Sequence, residues 1–127
     1  MDTITTTTTT ALLAHEATSA RRARRFVDAT LRSWACDEVT EVATLLASEL
    51  VTNALLHAGG AVHVEVSRTP GAVRVEVHDA GHGAPIVRDA SERAESGRGL
   101  ALVDALAAAW GVSPCRHGKT VWFEVAV

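Results

Sequence analysis

The chain has 127 residues, 47% of them apolar and 21% charged, with a formal net charge of −3. That length suits one domain whose core closes without disulfides or a structural metal, and it excludes a multidomain machine. The small negative charge gives no general attraction to nucleic acid or anionic lipid, so the partners expected are proteins or small molecules.

The start, Met1-Asp2-Thr3-Ile4 followed by threonine from Thr5 to Thr10, lacks the basic and apolar stretches of a signal peptide. Residues 1–16 read either as a disordered low-complexity tail or as an edge strand, since threonine is β-branched and fits a pleated surface. Residues 17–127 are expected to form the single domain, and no later run reads as long and apolar enough to span a membrane. Cys36 and Cys115 lie far apart with no C-x-x-C, which fits a reduced, cytoplasmic chain. The six histidines lack H-E-x-x-H or another compact ligand set, so a zinc enzyme is not expected.

Thr18 or Ser19 can cap a first helix, in which Ala20, Ala23, Val27, Leu31 and Trp34 recur at helical spacing while Arg21, Arg22, Arg25 and Arg32 face away. With the chain as a whole acidic, this basic face reads as solvated surface, or else as a docking surface for an acidic protein, rather than as a nucleic-acid site. Asp37 can cap a second helix running from about Glu38 to His57, and Gly59-Gly60 provides its stop. At about 100° per residue, Val39, Val42, Leu46, Leu50 and Ala54 define an apolar arc, and Glu49, Asn53 and His57 fall inside or beside it. Burying an ionised carboxylate costs several kcal/mol unless something pairs with it, so a cation or polar ligand is expected there.

The pattern then changes to period two, with Val62, Val64 and Val66, a turn at Thr69-Pro70-Gly71, and Val73, Val75 and Val77. Asp79 continues the phase of those last valines, so its carboxylate is expected on the apolar face at the strand end. Residues 80–96, with Gly81, Gly83 and Pro85, read as a long irregular connection of the kind kept as a ligand loop or lid. Gly97-Arg98-Gly99 opens a third helix carrying Leu100, Val103, Leu106 and Trp110. The chain ends in a second hairpin, Val112 to Cys115 and Thr120 to Val127, turning at His117-Gly118. The order strand, helix, helix, two strands, lid, helix, two strands predicts an α+β fold. Its form would be a two-layer α/β sandwich, with helices on one face of a mixed, mostly antiparallel sheet.

Each of these motifs alone is weak, but their order is not. Glu49-x-x-x-Asn53, Asp79-x-Gly81-x-Gly83, Gly97-x-Gly99-Leu100 and Gly118-x-Thr120 together resemble the nucleotide-binding boxes of the GHKL ATPase superfamily, which includes gyrase and the histidine kinases. The resemblance runs from about Ala17 to the C-terminus and implies a Bergerat-type fold. The short length and the Glu-x-x-x-Asn-x-x-x-His form of the first box look most like the stand-alone serine/threonine kinases that act as anti-sigma factors. The chain is also similar to the small ATP-binding regulators of actinomycetes.

The resemblance implies roles residue by residue. Asn53 would hold Mg²⁺ through its amide oxygen. Glu49 would be the general base toward a serine hydroxyl. Asp79 would accept from the adenine amino group, with Thr120 joining it directly or through water, although Val121, Phe123, Val125 and Val127 form the cleaner apolar set on that strand. Gly81 and Gly83 would let backbone approach the purine. Gly97, Arg98, Gly99 and Leu100 would meet phosphate just before a helix N-terminus. His57 matches the pattern in type, but a helix-end histidine bonded to backbone is the simpler reading.

The function expected on this basis is an ATP- and Mg²⁺-dependent serine/threonine kinase of anti-sigma type. It would sequester a sigma factor, phosphorylate a serine of a small anti-anti-sigma protein, and form a homodimer as such proteins do. The alternative is a non-catalytic, nucleotide-gated regulator, for which Glu49 would be superfluous. A detached histidine-kinase catalytic domain would need a phospho-accepting histidine helix, and the first helix has no histidine.

Overall fold

A computed structural model describes residues 7–80, 94–115 and 118–127, with the side chains of 94–99 and of 115 outside that description. The elements run β1 (Thr7–Leu13), α1 (Ser19–Ser33), α2 (Asp37–His57), β2 (Val62–Thr69), β3 (Ala72–Asp79), α3 (Ala94–Leu106), β4 (Ala109–Cys115) and β5 (Gly118–Ala126). The strands form one sheet in the order β1-β2-β3-β5-β4. Every neighbouring pair is antiparallel, so the parallel component of the expected mixed sheet is absent among the described residues. This is an α+β sandwich, helices against one sheet face.

The second half of the threonine tract is an edge strand. Thr9, Ala11 and Leu13 lie opposite Val66, Val64 and Val62, and burial increases along that face to Leu13. The β2–β3 hairpin turns on Pro70 and Gly71, and Gly71 has φ +90, a left-handed conformation that glycine adopts without Cβ strain. Val62, Val64, Val66, Val73, Val75, Val77, Val121, Phe123 and Val125 line the inner face and are buried in one cluster with the helices.

α1 buries Ala23, Val27 and Leu31, as its spacing predicts, and leaves Arg21, Arg22, Arg24 and Arg25 exposed. Thr18 holds the N-cap position without a side-chain cap bond, and the Ser19 hydroxyl instead donates to the Ala14 carbonyl. Asp37 is not the cap of α2. Cys36 takes that position, and Asp37 and Glu38 stand in the first turn, where negative charge suits the helix dipole. At the other end the His15 Nε2 donates to the carbonyls of Leu55 (3.1 Å) and Ala58 (3.0 Å), satisfying acceptors that a helix terminus leaves unpaired.

The buried stripe of α2 is Ala43, Leu46, Ala47, Leu50, Val51 and Ala54, with Val39 and Val42 only partly covered. The stripe is rotated from the predicted arc because α2 packs between α1, α3 and the sheet rather than against one surface. Contrary to the sequence reading, this 21-residue helix is long and apolar enough to cross a membrane by length and composition, with a mean hydropathy of 1.3 over 18 residues. Its apolar character is that of a central core helix, covered on several sides by the same chain.

The outer sheet face is polar and half-buried. Arg74 donates to Glu76 (2.7 Å) and Glu124 (3.1 Å), and its guanidinium lies 3.9 Å above the Trp122 ring. Burial works against the Arg74 charge, but the two carboxylates outweigh it and hold the group above its ordinary pKa.

Candidate functional site

A cleft opens where the C-terminal half of α2 faces the ends of β3 and β5. Leu50, Asn53, Ala54, His57, Val77, Asp79, Lys119 and Val121 line it. Helical spacing makes this wall: residues 50, 53, 54 and 57 recur at three and four and so share a face. Period two makes the other wall, since Val77 and Asp79 point the same way on β3, and Lys119 and Val121 on β5.

Asn53 is half-buried, but its Oδ1 is fully covered. Among the described residues it is the one buried side-chain nitrogen or oxygen with no hydrogen-bond partner. Leaving a buried acceptor unpaired costs about 1–3 kcal/mol, which a hard cation or an incoming donor would recover. Glu49 lies one turn earlier on the same side, half-buried, and is not among the residues lining the cleft. His57 is exposed and does line it, so it contributes to the cleft wall as well as ending the helix.

Asp79 sits at the end of β3 in the apolar phase, as predicted. Its carboxylate is not alone: Lys119 Nζ donates to Oδ1 at 3.1 Å, and the two side chains are only 3% and 8% exposed. The pairing follows from register, because Asp79 lies directly opposite Lys119 in the β3–β5 ladder. Gly118 makes the approach possible. A Cβ there would lie 1.8 Å from the Asp79 carbonyl oxygen and 2.9 Å from the Ala80 Cα.

Thr120 is placed differently from the expectation. One residue beyond Lys119, it belongs to the opposite face of the strand, is opposite His78 in register, and its Oγ1 bonds the His78 Nδ1. It is buried, but beside the outer face and away from the lining of the cleft. The β5 side chain that joins Asp79 is Lys119. Sequence reasoning missed it although the signal was present, since Lys119 keeps the phase of Val121, Phe123 and Val125 and so inserts a charge into an apolar series, as Asp79 does on β3.

α3 begins at Ala94, three residues before the glycine pair. Gly97, Arg98 and Gly99 therefore lie within the helix rather than ahead of it, and the helical N–H groups free of intrahelical partners are those of Ala94, Glu95 and Ser96. The glycines, each costing about 1 kcal/mol in a helix interior, do not delay its start behind Ala94-Glu95-Ser96. Leu100 packs in the core with Val103 and does not line the cleft. Gly81 and Gly83 lie outside the described residues, as does most of the predicted lid.

The structure thus brings together Asn53, Asp79 and, unexpectedly, Lys119, with Glu49 a turn behind. No curated protein matches the chain. A family model described as a histidine kinase-like ATPase domain matches residues 13–125, which takes in every element from the end of β1 to β5. Over that span the boxes on α2, β3, α3 and β5 keep the order noted from the sequence, and a protein of this family binds ATP. The chain belongs to the family of histidine kinase-like ATPase domains.

Proposed function

We propose that the protein is a cytoplasmic serine/threonine protein kinase of anti-sigma-factor type, using ATP with Mg²⁺. Its substrate would be a serine of a small anti-anti-sigma protein, and its unmodified partner a sigma factor. The observation that carries the reading is the buried Asn53 Oδ1, without a partner among the described residues, in one wall of a cleft whose other wall holds Asp79. A neutral oxygen is a suitable ligand for Mg²⁺, which keeps several waters and needs few protein donors. Asp79 offers a buried acceptor for the adenine amino group.

Bound ATP would supply the transferable phosphoryl group, and Mg²⁺ would offset its charge. The chain's own part is positional. Asn53 would hold the metal, the cleft walls would exclude water from the base, and Glu49, one helical turn from Asn53, would take the proton of the serine hydroxyl. A carboxylate in that place serves transfer better than simple binding, which favours the kinase over a nucleotide-gated regulator. Addition of a phosphate to the antagonist would place about −2 of charge at its interface with this protein, enough to reverse the choice of partner.

The test is transfer of radiolabelled γ-phosphate from ATP to a cognate antagonist protein, with wild type and Glu49→Ala compared in a single turnover. The proposal predicts transfer by wild type and a loss of about 10²- to 10⁴-fold in Glu49→Ala, with antagonist binding retained. Absence of transfer by wild type would reduce the protein to a nucleotide-dependent binder, and equal transfer by the variant would remove Glu49 as the base.

A further inference from the structure

We infer that Lys119 is a base-reading residue of the nucleotide site, donating to a ring nitrogen of the purine while Asp79 accepts from the neighbouring amino group. The inference rests on the ATP reading given above. Its starting point is the placement of the β5 residues: the strand sends Lys119, and not Thr120, to the cleft.

Three observations support it. First, the Lys119 ammonium is nearly buried yet lines the cleft, so its charge is brought to the site rather than led away to solvent as long basic side chains usually are. Second, an ammonium carries three donors, and the described partners of Lys119 use one of them, on Asp79 Oδ1. Third, Asp79 and Lys119 set an acceptor and a donor 3.1 Å apart on adjacent strands. The adenine edge presents an amino donor directly beside a ring-nitrogen acceptor, N1, the complementary order of groups. A neutral base then meets a pair of charges that already compensate each other, so no uncompensated charge is left in the cleft when it binds.

A purely structural salt bridge would give different behaviour. It would make Lys119 matter to folding but not to which atom stands at ring position 1. If Lys119 merely plugged the cleft, its removal would tighten nucleotide binding.

The experiment measures affinity by calorimetric titration of ATP and of 1-deaza-ATP, in which N1 is replaced by C–H, into wild type, Lys119→Met and Thr120→Val. Wild type is expected to bind the deaza analogue about tenfold or more weakly than ATP, the usual loss when a charged donor loses its acceptor. Lys119→Met is expected to bind ATP weakly and to treat the two nucleotides alike, while Thr120→Val keeps the discrimination. Equal affinity of wild type for both nucleotides would overturn the assignment even if Lys119→Met failed to fold. So would an unchanged preference for ATP in Lys119→Met, or tighter ATP binding by it. Failure of wild type to bind ATP at all would instead remove the nucleotide reading on which the assignment rests.

Discussion

Gly118→Ala should destabilise the protein by about 2–4 kcal/mol and abolish measurable ATP binding, although it adds one methyl group. The added Cβ would stand 1.8 Å from the Asp79 carbonyl oxygen, 2.8 Å from the Asp79 carbonyl carbon and 2.9 Å from the Ala80 Cα. All three are backbone atoms, so no side chain can rotate to make room, and the strands must part at the point where they carry the cleft. Overpacking in a close-packed interior costs about 1–3 kcal/mol, and a clash with main chain lies at or above the top of that range. Parting β3 from β5 also separates Asp79 from Lys119, which are paired only through this register. Gly59→Ala provides the control, because a Cβ there meets nothing within 4 Å. Urea denaturation of both variants would check the expectation, and equal midpoints for the two would show that β5 does not cross Asp79 as closely as described.

The second large effect is expected from the ion pair itself. Asp79→Ala leaves the Lys119 ammonium in a cleft where its side chain is 8% exposed, with its described counter-ion gone. Breaking a buried pair by removing one partner costs about 3–5 kcal/mol, whereas replacing both members with apolar groups of similar size is often neutral or stabilising. The single variant should therefore lose most of the stability of a domain this small, and Asp79→Leu/Lys119→Met should recover it. ATP binding should be lost in both, because neither keeps an acceptor for the adenine amino group. Thermal unfolding and nucleotide titration on the same samples separate the two effects. A double variant that regained ATP affinity along with stability would show that the pair supports the fold and does not read the base.

The parts of the site that were legible in sequence are those governed by local periodicity. Asn53 and Glu49 stood out because a helix returns to the same face every three or four residues, and Asp79 because a strand does so every two. The orientation of α2 was legible only in outline. Ala43, Ala47 and Val51 are buried where Val39 and Val42 were expected, and that rotation is set by α1 and α3, which no single-helix pattern contains. Lys119 shows the same limit from the other side. Its phase was visible along β5, but its partner was not, because Asp79 lies 40 residues away and meets it only through the β3–β5 ladder. A one-residue slip in that ladder would have put Thr120 in the cleft, and the box pattern alone does not distinguish the two registers. The start of α3 differs from the expected one for another reason: glycine reads as a helix boundary in sequence, but tertiary packing of Leu100 and Val103 outweighs its low helix propensity.

The same register fixes the outer face, where Thr120 meets His78 and Arg74 bridges Glu76 and Glu124. These contacts hold β3 and β5 together from the side opposite the cleft. The arrangement couples the base-facing end of the site to sheet packing, while Asn53 and Glu49 depend on the packing of α2 against α1 and α3.

The most direct measurement is a calorimetric titration of ATP into wild type and Asn53→Ala, each with and without Mg²⁺. If the buried Asn53 Oδ1 is the atom that faces the metal, Mg²⁺ should strengthen ATP binding by wild type. Asn53→Ala should retain the metal-free affinity, set by Asp79 and the cleft walls, and lose the gain. An undiminished Mg²⁺-dependent gain in Asn53→Ala would contradict the account of this site.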